Sequence, residues 1–527
     1  MIKACREILN VLLTTSNMDQ GKLEDIKRAF SEKYRLKKVP SNSQILSYAA
    51  EGERATLRSI LLKKPSRSIS GVSVIAVMSS PADCPHGRCI YCPGGPNSDS
   101  PQSYTGREPA ALRAYQNSFD PYMQVQSRLN QLKAIGHPVN KVELIVMGGT
   151  FPARDLSYQQ FFIKNCLEAL SGVRSRDLSE AKVNAEKASI RNVGMTFETR
   201  PDYCKIEHVD RMLDLGATRV ELGVQALSDE VYRDVKRGHT VEDVIQATRI
   251  VKDSGLKLCY HMMPGLPGMD LKSDLRMFYE VFESEDFKPD MLKIYPCLVL
   301  EKTELYTLWE NHRYQPYNTE ELIEFLLKVM EKIPPWIRIQ RIQRDIPAGL
   351  IVAGNKKSDL RELVLDAMDE RNIKTNEIRF REVGHQYYRY GKTPRPGDVA
   401  MKIHSYNASK GQEIFISFED LVQDILIGYL RLRIPSDQAH RLEVTVSKTA
   451  VIRELHIFGP ELEVGGSPSY QWQHRGYGKA LVEEAERIAE AVYGCDIILV
   501  TSGLGAREYY RRLGYSVLGP YMCKKLS

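Results

Sequence analysis

The chain has 527 residues, far more than one hydrophobic core usually supports, so we expect two or more domains. Its hydrophobic fraction of 43% and its charged fraction of 27% exclude a largely disordered or fibrous protein. The formal net charge of +6 favours an anionic partner, but this excess is too small to indicate nucleic-acid binding by itself.

The ten cysteines are scattered along the chain, except for Cys84, Cys89 and Cys92, which lie close together. This pattern indicates a reducing compartment and one metal or redox site, and it argues against a disulfide framework. The sequence has no uninterrupted apolar stretch long enough to span a membrane. We therefore expect a cytoplasmic protein with no membrane partner.

Residues 1–70 carry periodic apolar positions among basic side chains, which predicts a helical region. Two interpretations are open: a module that contacts RNA, or a helical cap whose basic face is only solvated. The basic side chains are Lys27, Arg28, Lys33, Arg35, Lys37 and Lys38, and Lys63, Lys64 and Arg67 would extend the set towards the next domain.

Residues 71–350 alternate short apolar runs with helical patterns, from VSVIAV at residue 72 to IRIQRI at residue 337. Repeated βα units predict a parallel sheet, and a full or partial barrel fits them better than a sandwich. In such a barrel, catalytic groups gather at the C-terminal ends of the strands. The residues expected at or near these ends include Gly148, Gly149, Glu198, Arg200, Gln225 and His261.

A shift in composition over residues 351–400, which includes GKTPRPGD at residue 391, predicts a linker. Beyond it, residues 401–527 are predicted to form a separate α+β domain. Its strand-like runs are mostly of the antiparallel kind, and one amphipathic helix is predicted over residues 479–492.

The cysteine motif follows a predicted strand, with four and then two residues between successive thiols at Cys84, Cys89 and Cys92. Three thiolates suit a 4Fe-4S cluster in which one iron remains free to bind another molecule, with S-adenosylmethionine as the obvious candidate. The alternative is a zinc ion held by His86 and the three cysteines. The Gly148-Gly149 pair after the next strand resembles the glycine-rich strand end that receives S-adenosylmethionine in the radical enzymes that use it.

A second motif, QHRGYGKA at residues 473–480, directly precedes the predicted helix of the last domain. Glycines at 476 and 478 would let backbone amides at a helix N-terminus approach a pyrophosphate. This pattern resembles the signature of GNAT acetyltransferases. Further along, Tyr509 and Tyr510 lie in a segment that resembles the one whose tyrosine faces the cofactor sulfur; we assign that role to Tyr510, and packing in the core is the alternative.

With CPGGPNSDSPQSYTGREP, FETRPDYC, RGHT, LKIYP and IQRDIP, the combination of both motifs closely resembles the family of Elongator catalytic subunits over nearly the whole chain. The resemblance implies a radical S-adenosylmethionine barrel followed by a GNAT domain. It also implies a tRNA carboxymethyluridine synthase that acts on the wobble uridine. The implied partners are the tRNA anticodon loop and a reductant or electron-donor protein, and the chain resembles stand-alone members that occur without the other Elongator subunits.

The resemblance also implies the site residues. Cys84, Cys89 and Cys92 would hold the 4Fe-4S cluster, and Gly148 and Gly149 would contact S-adenosylmethionine. The residues expected to contact acetyl-CoA are Lys141, Glu454, Leu455, His456, Ile457, Gly476, Tyr477, Gly478, Lys479, Ala480 and Tyr510. The catalytic candidates among them are Lys141, Glu454, His456 and Tyr510, with Glu454 or His456 as the base that activates water for thioester hydrolysis.

Two other functions remain open on the sequence. A protein lysine acetyltransferase with a merely structural iron–sulfur barrel would use the same base to deprotonate an amine. A silent tRNA-binding scaffold would have lost a cofactor signature, and this chain retains each of them. One departure concerns zinc: many relatives have cysteines before the REVGH segment, whereas this chain has Asn376 there, so His385 is not predicted to be a ligand.

Overall fold

The computed structural model describes residues 1–15, 18–50, 52–53, 57, 60–61, 69–459, 472 and 475–526. At the N-terminus, helices Ile2–Thr14, Gln20–Lys33 and Asn42–Ser47 pack around a small core of their own, which confirms the predicted helical region. Side-chain oxygens of Asp19 and Ser41 accept hydrogen bonds from first-turn amides and so fix where the second and third helices begin.

The basic face of this unit is smaller than the sequence predicted. Lys27 is buried, and its ammonium lies 2.6 Å from Glu24 and 3.0 Å from the Asn42 side-chain oxygen. Lys33 is exposed but pairs with Glu7. Helix packing therefore removes Lys27 from the set that faces solvent. Lys63, Lys64 and Arg67 lie outside the described residues.

Seven parallel strands form the sheet of the partial barrel, in the order β1-β2-β3-β4-β5-β6-β8. Strands β1 and β8 are its outer strands, so the sheet is not closed. The strands are β1 Ser73–Met78, β2 Lys141–Met147, β3 Arg191–Thr199, β4 Arg219–Gln225, β5 Lys257–Met262, β6 Met291–Ile294 and β8 Arg338–Ile342, and β7 Val299–Leu300 pairs with β9 Ile351–Ala353 outside this sheet. The predicted α/β barrel and its strands are confirmed.

Helices cover the outer face of this sheet because alternate strand residues are apolar and buried there. On β2, Val142, Leu144 and Val146 are buried in this core, whereas the intervening residues are only half-buried and line cavities inside the barrel. The helices of this part are Pro109–Gln116, Pro121–Ala134, Leu156–Ser171, Leu178–Glu186, Ile206–Leu215, Asp229–Asp234, Val241–Asp253, Leu271–Glu283, Glu304–Glu310 and Thr319–Lys332.

The last domain is a seven-stranded sheet in the order β10-β11-β12-β13-β14-β16-β15. Only β13 and β14 pair in parallel, so the predicted antiparallel character is confirmed. Its strands are β10 Val399–Ala408, β11 Gly411–Asp420, β12 Ile425–Ile434, β13 Thr449–Ile457, β14 Ile497–Val500, β15 Ser516–Leu518 and β16 Tyr521–Lys525, with helices Leu442–Thr445, Tyr477–Arg487 and Arg507–Arg511. The predicted helix is present and continues as a π-helical turn over Ile488–Val492.

The segment predicted as a linker contains β9 and the helices Leu360–Glu370, Ile378–Arg381 and Val383–Tyr390. An ion pair organises it: the buried Glu382 carboxylate lies 2.5 Å from Arg338 and accepts a hydrogen bond of 2.7 Å from the Ser70 hydroxyl. His385 lies 3.4 Å from the same carboxylate. This segment is thus built into the barrel edge, and the exact domain boundaries remain a prediction.

A fully buried set of charges joins the two domains. Arg453 on β13 binds Asp290, just before β6, and Glu413 on β11, while Arg433 on β12 binds Glu413 and Asp253. Every one of these charges has a partner at hydrogen-bond distance, as buried charges require. This network fixes where the sheet of the last domain sits against the barrel. Across the described residues, no helix is both long and apolar enough to cross a membrane.

Candidate active site

The three clustered cysteines lie on the loop that follows β1, at the C-terminal end of the barrel strands. All three are buried and line one cavity of about 890 Å³. Neighbouring polar groups hold the loop: Gln102 accepts a hydrogen bond of 2.9 Å from the Cys84 amide, and the Ser103 amide donates to Cys92 Sγ at 3.1 Å. Burial raises the pKa of the Cys84 and Cys92 thiols.

Two guanidinium groups offset part of this cost of burial. Arg237 places Nη1 3.8 Å from Cys89 Sγ, and Arg200 donates to the Arg237 carbonyl at 2.8 Å. Burial is the larger influence on the pKa of Cys84, but both arginines act to lower it. The loop is therefore arranged to hold thiolates, which is the form of cysteine that binds metals.

The sulfur geometry bears on the choice between one zinc ion and a larger cluster. In the part of the chain that the structure describes, the three sulfur atoms do not all lie within 4.8 Å of one another. A single zinc ion needs its thiolates closer than that, since each Zn–S bond is about 2.3 Å. His86 Nε2 lies 3.1 Å from Cys89 Sγ, and burial lowers the pKa of His86 to about 3. The donor set fits a multi-iron cluster better than zinc.

The Gly148-Gly149 turn after β2 lies against this loop. Both residues have positive φ, at +123° and +85°, which favours glycine. A side chain at Gly148 would collide with Ser79, and one at Gly149 would place its Cβ 3.8 Å from Cys84 Sγ. The turn thus leaves space beside the first cysteine. Among the described residues on the same wall, Gln225 Oε1 and Arg237 Nε are buried without a hydrogen-bond partner and are available to a bound molecule.

Charged side chains fill the middle of the barrel. Glu221 accepts a hydrogen bond from His261 Nε2 at 2.8 Å and pairs with Lys293, which also lies 3.3 Å from Glu198. Tyr104 donates to the other Glu198 oxygen at 2.7 Å. Glu221, Cys259 and His261 approach closely enough to hold an ion, but Lys293 already neutralises the carboxylate. This cluster is therefore a charge network rather than a metal centre.

A larger cavity, of about 1580 Å³, lies between the N-terminal end of the barrel strands and the last domain. Lys141, Arg219, Lys257 and Arg338, each at or near the start of a strand, line it from the barrel side. From the other side it is lined by Glu454, Leu455, His456, Ile457, Gly476, Gly478, Lys479, Tyr509 and Tyr510. The structure thus brings nearly all the predicted acetyl-CoA residues to one cavity; Tyr477 and Ala480 lie on the adjoining helix.

The glycine motif forms the N-terminus of helix Tyr477–Arg487. Gly476 is its N-cap, with φ of +89°. A Cβ at Gly478 would lie 3.0 Å from the Tyr509 hydroxyl, so this position also requires a small residue. Strand β13 pairs with β14 over residues 449–452, and the cavity opens beyond that point, at residues 454–457. This splayed pair with a glycine-capped helix is a suitable cradle for a pyrophosphate.

The two predicted bases differ in their surroundings. Burial alone would raise the pKa of Glu454, but Lys257 and Arg431 lower it to about 2, and Arg431 Nε lies 2.8 Å from its carboxylate. His456 is half-buried, desolvation lowers its pKa, and its Nε2 lies 3.2 Å from the Ser70 carbonyl oxygen. Because a carbonyl only accepts, Nε2 carries the proton and Nδ1 is the basic nitrogen.

Tyr509 and Tyr510 both line the large cavity, with ring centroids 5.2 Å apart. Tyr510 is almost fully buried and packs against the core beside Tyr515, and burial raises its pKa. Tyr509 is partly exposed. The structure therefore makes both tyrosines neighbours of the cavity, and the assignment of the cofactor role to Tyr510 remains a prediction.

The sequence patterns did not single out Arg219, Glu221, Lys257, Lys293 or Arg237. The signal was present in the strand RVELGV, where Arg219 and Glu221 alternate with apolar residues. A buried parallel strand is normally apolar on both faces, so charges at alternate positions mark a face that lines a cavity.

Comparisons with known proteins fit this geometry. The radical SAM superfamily model matches residues 78–279, and the radical SAM C-terminal domain model matches residues 289–370. The acetyltransferase (GNAT) family model matches residues 380–515, and the model of the ELP3 N-terminal domain matches residues 1–69.

Similar proteins cover nearly the whole chain. The tRNA uridine(34) acetyltransferase of Methanocaldococcus jannaschii is 53% identical over 97% of this chain and 95% of its own length. Elongator complex protein 3 of Schizosaccharomyces pombe is 44% identical over 99% of this chain and 98% of its own. The structure of archaeal Methanocaldococcus infernus Elp3 with an N-terminal deletion matches with a TM-score of 0.78 and 48% identity, over 87% of this chain and 100% of that one.

Proposed function

Because the chain belongs to the Elp3 family, we propose that it is a radical enzyme of the acyltransferase class that installs a carboxymethyl group on the 5-carbon of the wobble uridine of tRNA. One observation carries this proposal. A cysteine-lined cavity and an acetyltransferase cavity open into the same barrel of one chain. A simple acetyltransferase has no use for the first cavity, and a simple radical enzyme has no use for the second.

The cysteine loop is the proposed cluster site. Cys84, Cys89 and Cys92 would hold a 4Fe-4S cluster, and the Gly148-Gly149 turn would leave room for S-adenosylmethionine. When bound, these two groups would supply the radical chemistry for removing a hydrogen atom from the methyl group of the acetyl donor. The chain itself places the cysteines beside Arg200 and Arg237, whose positive charges favour the thiolate form.

The glycine-capped helix is the proposed site for the coenzyme A pyrophosphate. Gly476 and Gly478 leave the first amides of helix Tyr477–Arg487 open to an anion, and the positive end of the helix dipole favours its charge. Lys141 and Lys257 line the same cavity from the barrel and add positive charge.

We propose His456 rather than Glu454 as the base that activates water for thioester hydrolysis. Glu454 is tied to Arg431 and Lys257, and its low pKa leaves it a weak proton acceptor at neutral pH. His456 is neutral at that pH and keeps Nδ1 free of a proton. Glu454 then acts as a fixed negative charge that holds the cationic wall in place.

The substrate is tRNA, and the reaction needs a one-electron reductant. We propose that the anticodon loop is the part of the tRNA that binds, with its wobble base unstacked from its neighbours. The exposed basic residues Arg28, Arg35, Lys37 and Lys38 of the N-terminal unit are candidates to contact its phosphates. Both catalytic domains lie in one chain, so we expect activity without accessory Elongator subunits.

The test is anaerobic incubation of the reconstituted protein with reductant, S-adenosylmethionine, acetyl-CoA and unmodified tRNA, followed by mass spectrometry of the nucleosides. We expect 5-carboxymethyluridine from the native protein and none from Cys89→Ala. The matched control is Cys523→Ala, which removes a half-buried cysteine of the last domain, away from the loop, and should leave the product unchanged.

The competing function predicts a different pattern. If the tRNA stays unmodified while lysine peptides become acetylated equally well by the native protein and by Cys89→Ala, the barrel is structural and the chain is a protein acetyltransferase. Product formation by Cys89→Ala would likewise overturn the radical mechanism.

A further inference from the structure

The inside of the barrel carries continuous rows of side chains that connect the two cavities. Alternate residues of a strand point to the same face. On β2 the row runs from Lys141 through Glu143 and Ile145 to Met147, and it ends at Gly149 beside Cys84. The first three residues line the acetyltransferase cavity, and the last three of this row line the cysteine cavity. Ile145 belongs to both.

The same order holds around the barrel. On β4, Arg219 lines the acetyltransferase cavity, and Glu221 lines the cysteine cavity. On β6 and just after it, Met291 lines the acetyltransferase cavity, Tyr295 lines the cysteine cavity, and Lys293 between them lines both cavities. The residues that line both cavities are Val74, Ile145, Lys293 and Arg341. They come from four strands or strand ends and form a belt at the middle height of the barrel, which we call the junction.

The two ends of this row of side chains are far apart. Four two-residue steps along an extended strand, from Lys141 to Gly149, span about 26 Å. Acetyl-CoA held at Gly476 would lie at the Lys141 end of this row, and the cysteine loop lies at the Gly149 end. A hydrogen atom transfers only between groups in contact, so the acetyl end must travel into the barrel.

We propose that the acyl-pantetheine arm of acetyl-CoA enters the barrel from the N-terminal ends of its strands, and that its thioester is held at the junction of Val74, Ile145, Lys293 and Arg341. This inference rests on the proposed function, since only a reaction between the two cofactors requires such a meeting point. It makes the N-terminal end of the barrel strands, which is usually structural in a βα barrel, the entrance for a substrate.

Lys293 is the positioning residue at this point. An ammonium group has three N–H donors, and Glu198 and Glu221 take up two of them. The two carboxylates thereby fix the side chain at the junction. The third donor binds the thioester carbonyl oxygen, which holds the acetyl methyl group on the side of the cysteine cavity.

The test uses Ile145→Cys and bromoacetyl-CoA, which differs from acetyl-CoA by one bromine on the methyl carbon and reacts at that carbon. The introduced thiolate displaces bromide, so that a C–S bond forms as the C–Br bond breaks. The reaction requires neither cluster nor reductant. We expect alkylation at residue 145, located by peptide mapping, and at least a tenfold slower reaction in the presence of excess acetyl-CoA.

The matched control is Tyr115→Cys, an exposed position on helix Pro109–Gln116 outside the barrel. It should react with bromoacetyl-CoA, and acetyl-CoA should not protect it. The proposal is overturned if the thiol introduced by Ile145→Cys stays unmodified, or reacts without protection, in protein that still binds acetyl-CoA.

A second measurement tests Lys293 in the loaded enzyme. With trideuterated acetyl-CoA, deuterium in the 5′-deoxyadenosine product reports transfer from the methyl group. We expect Lys293→Met to lower this transfer at least tenfold while 5′-deoxyadenosine still forms, and Lys293→Arg to restore part of it. Equal deuterium transfer in native protein and Lys293→Met would overturn the positioning role.

The two measurements also separate this inference from the proposed function. If acetyl-CoA protects the Ile145→Cys protein from alkylation but the native protein does not modify tRNA, the proposed thioester subsite stands and the proposed synthase function is overturned. Modified tRNA together with an unreactive thiol in the Ile145→Cys protein would do the reverse.

Discussion

Arg453 of the acetyltransferase sheet donates two hydrogen bonds, each of 2.7 Å, to the two carboxylate oxygens of Asp290 in the barrel. Both side chains are fully buried. A bidentate pair of this kind fixes direction as well as distance. It sets the orientation of β13, on which Glu454 and His456 follow Arg453, towards the barrel strands that begin at Met291 and Lys257.

The first prediction concerns this pair. Burial would raise the pKa of Asp290, but Arg453 and Arg431 hold it well below its usual range, so its charge stabilises the fold above its unfolded pKa and this stabilisation is lost as pH falls. Asp290→Asn leaves Arg453 partly unpaired in the interior. We expect the free energy of unfolding, measured with urea at neutral pH, to fall by about 3–5 kcal/mol.

The control for this prediction is Glu324→Gln, which breaks the exposed ion pair with Arg371. We expect no measurable change there, because solvent screens such pairs. An Asp290→Asn protein as stable as the native one would show that the pair does not secure the domain contact.

Glu454 gives a prediction that depends on pH. Its folded pKa of about 2 lies below the ordinary value of 4.5, so its charge contributes stability above pH 4.5 that is lost as pH falls towards 2. The shift corresponds to stability on the order of 3 kcal/mol. We expect Glu454→Gln to be less stable than the native protein at pH 7, and this gap to shrink as pH falls from 4.5 towards 2, as measured by urea unfolding. A gap that stays constant with pH would contradict the depressed pKa.

His456 gives a prediction about the hydrolysis step. A base acts when deprotonated, and the lowered pKa of His456 keeps it deprotonated below the ordinary histidine value of 6.5. We therefore expect the rate of acetyl-CoA thioester hydrolysis, measured as the release of free thiol, to stay constant as pH falls from 8 to 6.5. His456→Gln should lower the rate by about 10²-fold or more. Glu454→Gln, measured over the same pH range, should retain the native pH profile. Loss of that profile in Glu454→Gln, but not in His456→Gln, would assign the base to Glu454.

Gly476 gives a prediction about cofactor binding. At φ of +89°, alanine adopts this conformation at a cost of about 1–2 kcal/mol, and its Cβ would face the space proposed for the pyrophosphate. We expect Gly476→Ala to weaken acetyl-CoA binding at least tenfold by calorimetry. Gly397→Ala, at a glycine with open space and no positive φ, should bind as the native protein does.

The cluster loop gives a prediction about metal content. Cys92 accepts a backbone hydrogen bond from Ser103, so its thiolate is fixed within the cysteine cavity. We expect Cys92→Ala to lose most of its iron and its visible absorbance after reconstitution, as measured by iron and sulfide analysis. Acetyl-CoA binding should remain unchanged, because the glycine-capped helix lies at the other end of the barrel. Full iron content in Cys92→Ala would remove this cysteine from the ligand set.

Local pattern was enough to predict much of this protein. Strand runs separated by helical patterns predicted the α/β barrel, because the apolar residues that face the covering helices recur with the strand period. Cys84, Cys89 and Cys92 lie within nine residues, and Gly476 and Gly478 within three, so each motif was visible without any knowledge of the fold. Motifs of this kind can be recognised from sequence because their residues are close together along the chain.

Tertiary structure alone decided how the two motifs are related. Lys293 is far from Arg219 and Glu221 in sequence, and only the pairing of β4, β5 and β6 brings it to the same interior face of the barrel. The roles of Glu454 and His456 were equivalent on the sequence; the contacts from Arg431, Lys257 and the Ser70 carbonyl distinguish them. Such contacts depend on which strand ends meet in space. The pKa of a charged side chain inside a protein is set by its neighbours in the fold, and its position in the chain does not determine it.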